Sequence, residues 1–107
     1  MRDPSLNCDD DEAIARLLRF LAVPGVTGQE KAIGQEVVRE LVAVGVPRRA
    51  IRFDSAHEKI PLPTQTGNLI VDVPGSLPGP RCLFMTHLDT VPLCDGVVPV
   101  VPRPVSA

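Results

Sequence analysis

Two stretches of the chain repeat their apolar residues at helical spacing. Ile14, Leu17, Leu18 and Leu21 fall at i, i+3, i+4 and i+7, one apolar stripe on an otherwise polar segment. The acidic run Asp9–Asp11 precedes it, where negative charge favours a helix N-terminus, and Pro24-Gly25 ends it. A second helix is expected after Thr27 and Glu30, whose spacing suits a capping box. Ile33, Val37 and Leu41, with Ala32, Val38 and Val42, give it a wide apolar face, while Glu36, Arg39 and Glu40 are placed largely outside. Gly45 fits a left-handed stop and Pro47 blocks continuation.

Beyond the helices the pattern shortens to strands. Ala50-Ile51-Arg52-Phe53 and Leu69-Ile70-Val71-Asp72-Val73 read as strands separated by a polar loop over Ser55–Gly67. Arg81–Thr86 reads as a third, and its Cys82-Leu83-Phe84-Met85 run is apolar on both faces, as an interior strand requires. Antiparallel pairing of the second and third strands is the expected arrangement. From Pro92 onward Pro99, Pro102 and Pro104 deny ladder hydrogen bonds, so 93–107 reads as an irregular Pro-rich tail. The fold class expected is α/β: two N-terminal helices packed on the first strands of a mixed sheet, within a single domain unit over 1–107.

Composition narrows the function. The 107 residues are 44% hydrophobic and 22% charged, a globular balance able to bury roughly 65% of the unfolded surface. Net charge is −2 with no basic patch, and three Phe with no Trp or Tyr leave little for base stacking, which argues against nucleic acid. The start has no signal-peptide pattern and no apolar run approaches a membrane span, so no membrane association is expected. Cys8, Cys82 and Cys94 are odd in number and widely spaced, which reads as free thiols in the cytoplasm. Cys82 is expected to be a buried apolar filler in its strand.

The chemistry concentrates where the third apolar run ends, at Thr86-His87-Leu88-Asp89-Thr90-Val91-Pro92. A neutral imidazole held at a strand end can ligate a metal, and a carboxylate two residues on can hold its other ring nitrogen. Bare His-x-Asp is a common chance pattern; its position at the end of a buried strand, stiffened by Pro92, is what points to a metal. His57 lies in a loop beside Glu58 and Lys59 and reads as solvated, and Asp72 as the outward residue of its strand. Cys94 follows the motif closely but lacks a basic partner that would activate its thiol.

Several segments, in order, resemble the cocatalytic zinc peptidases that include peptidase T, carboxypeptidase G2 and the aminoacylases. Thr86–Pro92 is similar to that family's first metal motif. Val23-Pro24-Gly25-Val26-Thr27-Gly28-Gln29-Glu30 resembles the entry to its second helix, and Gly67-Asn68-Leu69-Ile70 the strand before the metal motif. Val91-Pro92-Leu93-Cys94 resembles the peptidase T-like branch. The likeness runs from about Asp11 to Pro99. It implies that His87 ligates one of two zinc ions and that Asp89 is the catalytic carboxylate orienting its ring. It further implies that the zincs polarise a scissile carbonyl and acidify a bridging water, which a glutamate deprotonates. The implied substrate is a short peptide losing its N-terminal residue, with N-acyl amino acids as the alternative.

The family's bridging aspartate, glutamate pair, further carboxylate and last histidine have no counterpart in these residues. The resemblance therefore implies an N-terminal portion of such an enzyme, inactive alone and binding zinc weakly or not at all. Self-association, or a complementing chain, is the expected partner behaviour. The reading from another class is a non-catalytic module that binds a partner through an exposed sheet edge.

Overall fold

The computed structural model describes residues 7–102. Helix α1 spans Asp10–Ala22, and Asp9 caps it by accepting the Glu12 N–H at 3.0 Å. Extended backbone at Val23 ends it, just before the Pro24-Gly25 stop that the sequence predicts. Helix α2 spans Lys31–Ala43. It closes with Val46 N–H on Leu41 C=O at 2.9 Å and Gly45 N–H on Val42 C=O at 3.1 Å, the two bonds of a Schellman motif, with Gly45 at φ +103°.

The start of α2 differs from the sequence reading. Thr27 and Glu30 form no capping box: Glu30 occupies the cap position without a side-chain capping bond, and its Oε1 instead accepts the Gly28 N–H at 2.8 Å. The Lys31 N–H is satisfied from far along the chain, by Gln65 Oε1 at 3.2 Å. Thr27 is thereby free for another partner.

Strands β1 (Ile51–Phe53) and β2 (Leu69–Val71) pair antiparallel, with Arg52 opposite Ile70. The loop between them is closed at its neck by one carboxylate. Asp54 Oδ1 accepts the backbone N–H groups of Asn68 at 2.8 Å and Ala56 at 3.1 Å, while Oδ2 accepts Asn68 Nδ2 at 3.0 Å. These bonds, the Asn68 side chain foremost, hold the Asp54 carboxyl below its ordinary pKa. A Cβ on Gly67 would stand 2.0 Å from Asp54 O, so only glycine fits beside this clasp.

Helices and strands are thus both present, but the sheet has two antiparallel strands among the described residues rather than the mixed set expected. Arg81–Thr86 is not a third strand: it enters no ladder, and Leu83, Phe84 and Met85 are 83%, 93% and 84% exposed. Cys82 is accordingly exposed, not a core filler. An apolar run becomes an interior strand only when something pairs with it, and β2, which ends at Val71, pairs with β1 alone. A short 3₁₀ turn at Pro92–Cys94 is followed by irregular backbone to 102, as the prolines predict.

Packing is centred on α2. Ile33, 5% exposed, is the one large apolar side chain buried among the described residues. It sits under Gly25, where a Cβ would come within 2.7 Å of Ile33 Cγ2. Gly34 admits the ring of Phe53, seating α2 on the sheet; a Cβ there would lie 3.2 Å from the ring. Glu40 is not an outward residue. Its Oε1 accepts from Arg16 Nε at 2.9 Å and from an Arg19 amino group at 2.5 Å, tying α1 to α2. Both arginines, Arg16 first, hold the Glu40 pKa down, and Glu40 raises that of Arg19.

Much of the apolar face remains uncovered. Ile14, Leu17 and Leu21 of the α1 stripe are about half exposed. The accessible surface is 9398 Å², against about 5,800 Å² for a compact protein of this mass.

Candidate metal centre

The His87–Thr90 segment is placed by the turn between α1 and α2. Thr90 N–H donates to Gly25 C=O at 2.9 Å and Thr27 N–H to Thr90 C=O at 3.0 Å, around a parallel bridge between Val26 and Thr90. Gly25 is itself fixed by its contact with Ile33, so the segment is anchored on the best-packed point of the molecule.

His87 and Asp89 come together as the sequence reading requires. His87 Nδ1 lies 2.9 Å from Asp89 Oδ1 and 3.0 Å from the Asp89 carbonyl oxygen. Both neighbours can only accept, so Nδ1 carries the proton and Nε2 of the neutral ring presents its lone pair. The ring is 83% exposed, leaving Nε2 accessible.

The second oxygen of Asp89 is held by a residue the sequence does not point to. Thr27 Oγ1 donates to Asp89 Oδ2 at 2.7 Å, across 62 positions of chain. Thr27, first, and then the His87 ring keep the Asp89 carboxyl below its ordinary pKa, so it is ionised at neutral pH. Threonine, aspartate and histidine therefore form one line of donors and acceptors, running from the turn before α2 to an open imidazole nitrogen. No local signal marks Thr27 for this role; its place in a Thr-x-x-Glu pattern suggests a cap instead.

One ligand position does not make a zinc site, which takes three or four protein ligands. No group of three or more His, Cys, Asp or Glu able to hold a metal lies among the described residues. His87 fits zinc as a single ligand, and the described residues do not supply the remainder of a coordination shell.

The other candidates are elsewhere. His57 is half-buried in a short turn over Ala56–Lys59 rather than solvated, and its Nδ1 has no partner among the described residues. It borders an open cavity of about 260 Å³ that Lys31, Gln35, Phe53, Asp54 and Thr66 also line. Cys94 is half-buried and Asp72, exposed, pairs with Arg81 at 2.7 Å.

Among the described residues no helix is long and apolar enough to cross a membrane. Comparison with known proteins finds no matching family model, no matching curated protein and no matching solved structure.

Proposed function

We propose that this chain contributes the first metal-ligand segment of a zinc-dependent peptidase of the aminopeptidase type, acting on short peptides. The observation that carries the reading is the hydrogen-bond line Thr27–Asp89–His87, which sets the tautomer of His87 and leaves Nε2 free. Such an arrangement orients a ligand and raises its basicity before any metal arrives. In this reading zinc, when bound, supplies Lewis acidity at the scissile carbonyl. His87 would hold it through Nε2, Asp89 would hold the opposite nitrogen, and Thr27 would hold Asp89. The remaining ligands and the general base come from residues outside 7–102. The isolated chain is then a poor zinc binder and has no peptidase activity. Its three free cysteines support a reducing, cytoplasmic setting.

Two measurements test this. Zinc titrated into the full chain, followed through the imidazole nitrogen resonances, is expected to shift Nε2 of His87 with low affinity and leave His57 unmoved. Failure to perturb His87 at any zinc concentration, or tight binding that survives His87→Ala, would refute the assignment. The coding sequence 3′ of the Ala107 codon is expected to encode a Gly-x-Asp-Asp-type segment, a Glu-Glu pair and a late histidine. If it does not, they are expected from a second chain that confers zinc-dependent peptide hydrolysis on mixing. Absence of both sinks the reading.

A further inference from the structure

The turn before α2 is held by two distant segments of the chain, and only one of them carries the candidate site. Thr90 docks on it through the Thr90 N–H on Gly25 C=O and the Thr27 N–H on Thr90 C=O. The second segment is the loop before β2. Gln65 N–H donates to Gly28 C=O at 3.1 Å, and Gln65 Oε1 accepts the Lys31 N–H at 3.2 Å, so one glutamine bonds both ends of residues 28–31. Gly28, at φ +87°, lies so close to this loop that a Cβ would stand 3.1 Å from Pro63 O. The Lys31 N–H is one of the donors that a helix start leaves unpaired, and Glu30 at the cap position makes no side-chain capping bond. A residue 34 positions away therefore takes the place of a cap.

We propose that Gln65 is a positioning residue for His87, acting through this turn. Gln65 holds Gly28 and Lys31, the adjoining Thr27 holds Asp89, and Asp89 holds the ring. The hydrogen bonds of Gln65 go to Gly28 and Lys31, not to the carboxylate or the imidazole, so its effect on the ring travels through residues 27 and 28. Only the side-chain bond depends on the residue type, since any residue but proline keeps the N–H that meets Gly28. Without that bond the first turn of α2 frays, and Thr27 Oγ1 loses its fixed approach of 2.7 Å to Asp89 Oδ2. A ring less firmly held by Asp89 is no longer confined to carrying its proton on Nδ1. The purpose of the alignment, a lone pair on Nε2 presented to a metal, rests on the function proposed above. The linkage itself operates without metal.

Ring nitrogen shifts of His87 and amide exchange, measured on the metal-free full chain at a pH above the imidazole range, test the linkage. The wild-type ring is expected to carry its proton on Nδ1. In Gln65→Ala the Nδ1–H fraction is expected to fall, and the Thr27 and Thr90 amides to exchange about 2- to 10-fold faster, as loss of one ordinary hydrogen bond implies. Gln65→Glu keeps an acceptor at the start of α2 and is expected to restore both. Gln35→Ala, at another exposed glutamine one turn along α2, is expected to change neither. The Val46 amide, bonded to Leu41 C=O at the far end of α2, should keep its protection in every variant. An unaltered ring and Thr90 amide in Gln65→Ala, an equal effect of Gln35→Ala, or no recovery in Gln65→Glu would each overturn the proposal. So would a loss of protection at Val46 as large as that at Thr90, which would make Gln65 a residue of general stability. Any of these results leaves the metal reading to the zinc titration of His87. A wild-type ring protonated on Nε2 would instead overturn the proposal together with the hydrogen-bond line on which the metal reading stands.

Discussion

Replacing Gly67 by alanine adds one methyl group, and the structure specifies what it meets. The new Cβ would lie 2.0 Å from Asp54 O, 2.4 Å from Asp54 Oδ1 and 2.7 Å from Asp54 C. Two of these atoms are backbone, so no side-chain rotation relieves the clash; the neck of the β1–β2 loop has to open by more than 1 Å. At that separation the Asn68 N–H bond to Asp54 Oδ1, now 2.8 Å, and the Asp54 N–H bond to Asn68 O, now 2.9 Å, are both lost. Overpacking of this kind costs about 1–3 kcal/mol. Alanine also restricts the unfolded chain, a gain of about 0.4–1 kcal/mol where the site tolerates it.

Gly75→Ala isolates that second term, because nothing lies within 4 Å of a Cβ there. At about 4–8 °C per kcal/mol for a chain of this size, Gly67→Ala is expected to melt at least about 4 °C below Gly75→Ala. The Asn68 amide proton should at the same time lose its hydrogen-bonded shift and exchange faster. Equal melting temperatures for the two variants, or an unaltered Asn68 amide in Gly67→Ala, would refute the clasp. The Gly-Asn pair would then have to be explained by something other than Asp54.

Thr27→Val keeps the shape of the side chain but removes the donor to Asp89; the carboxyl is expected to titrate nearer its ordinary value and the Thr90 amide to exchange faster. Thr27→Ser should restore both, and carbon-detected titration with amide exchange measures them. Acid should also loosen the fold in a defined window. Asp54 and Glu40 both have folded pKa values below their unfolded ones, so their stabilisation is complete above the ordinary carboxylate range and lost as pH falls through the folded values. Melting temperature should thus hold between neutrality and about pH 5 and drop below about pH 4. Glu40→Gln should show a shallower drop; an identical acid profile in that variant would remove Glu40 from the account.

Local chemistry made the helices legible. Asp9 lies where a cap must lie, Gly45 adopts the left-handed stop, and the apolar residues of α2 repeat at helical spacing. His87 with Asp89 was legible for the same reason, since two residues this near in sequence settle the geometry between them. What the pattern could not reveal depended on distant partners. Thr27 reads locally as a cap and serves Asp89 instead; Glu40 reads as outward and meets two arginines of another helix. Cys82–Met85 reads as an interior strand because hydrophobicity reports a tendency to be covered, while the covering itself must come from elsewhere.

These misreadings share a cause with the site. Thr27 lies three residues before the cap position of α2, which Glu30 occupies, and donates instead to the carboxylate of the docked segment. That docking in turn needs a bare Gly25, since a side chain there would strike Ile33. One buried isoleucine thus positions the turn, the turn holds Thr90 and Asp89, and Asp89 sets the proton on His87. Beside it, residues 82–86 enter no ladder among the described residues, and Leu83, Phe84 and Met85 stay exposed. The oriented imidazole and the exposed apolar run 83–85 are therefore neighbours in a single arrangement.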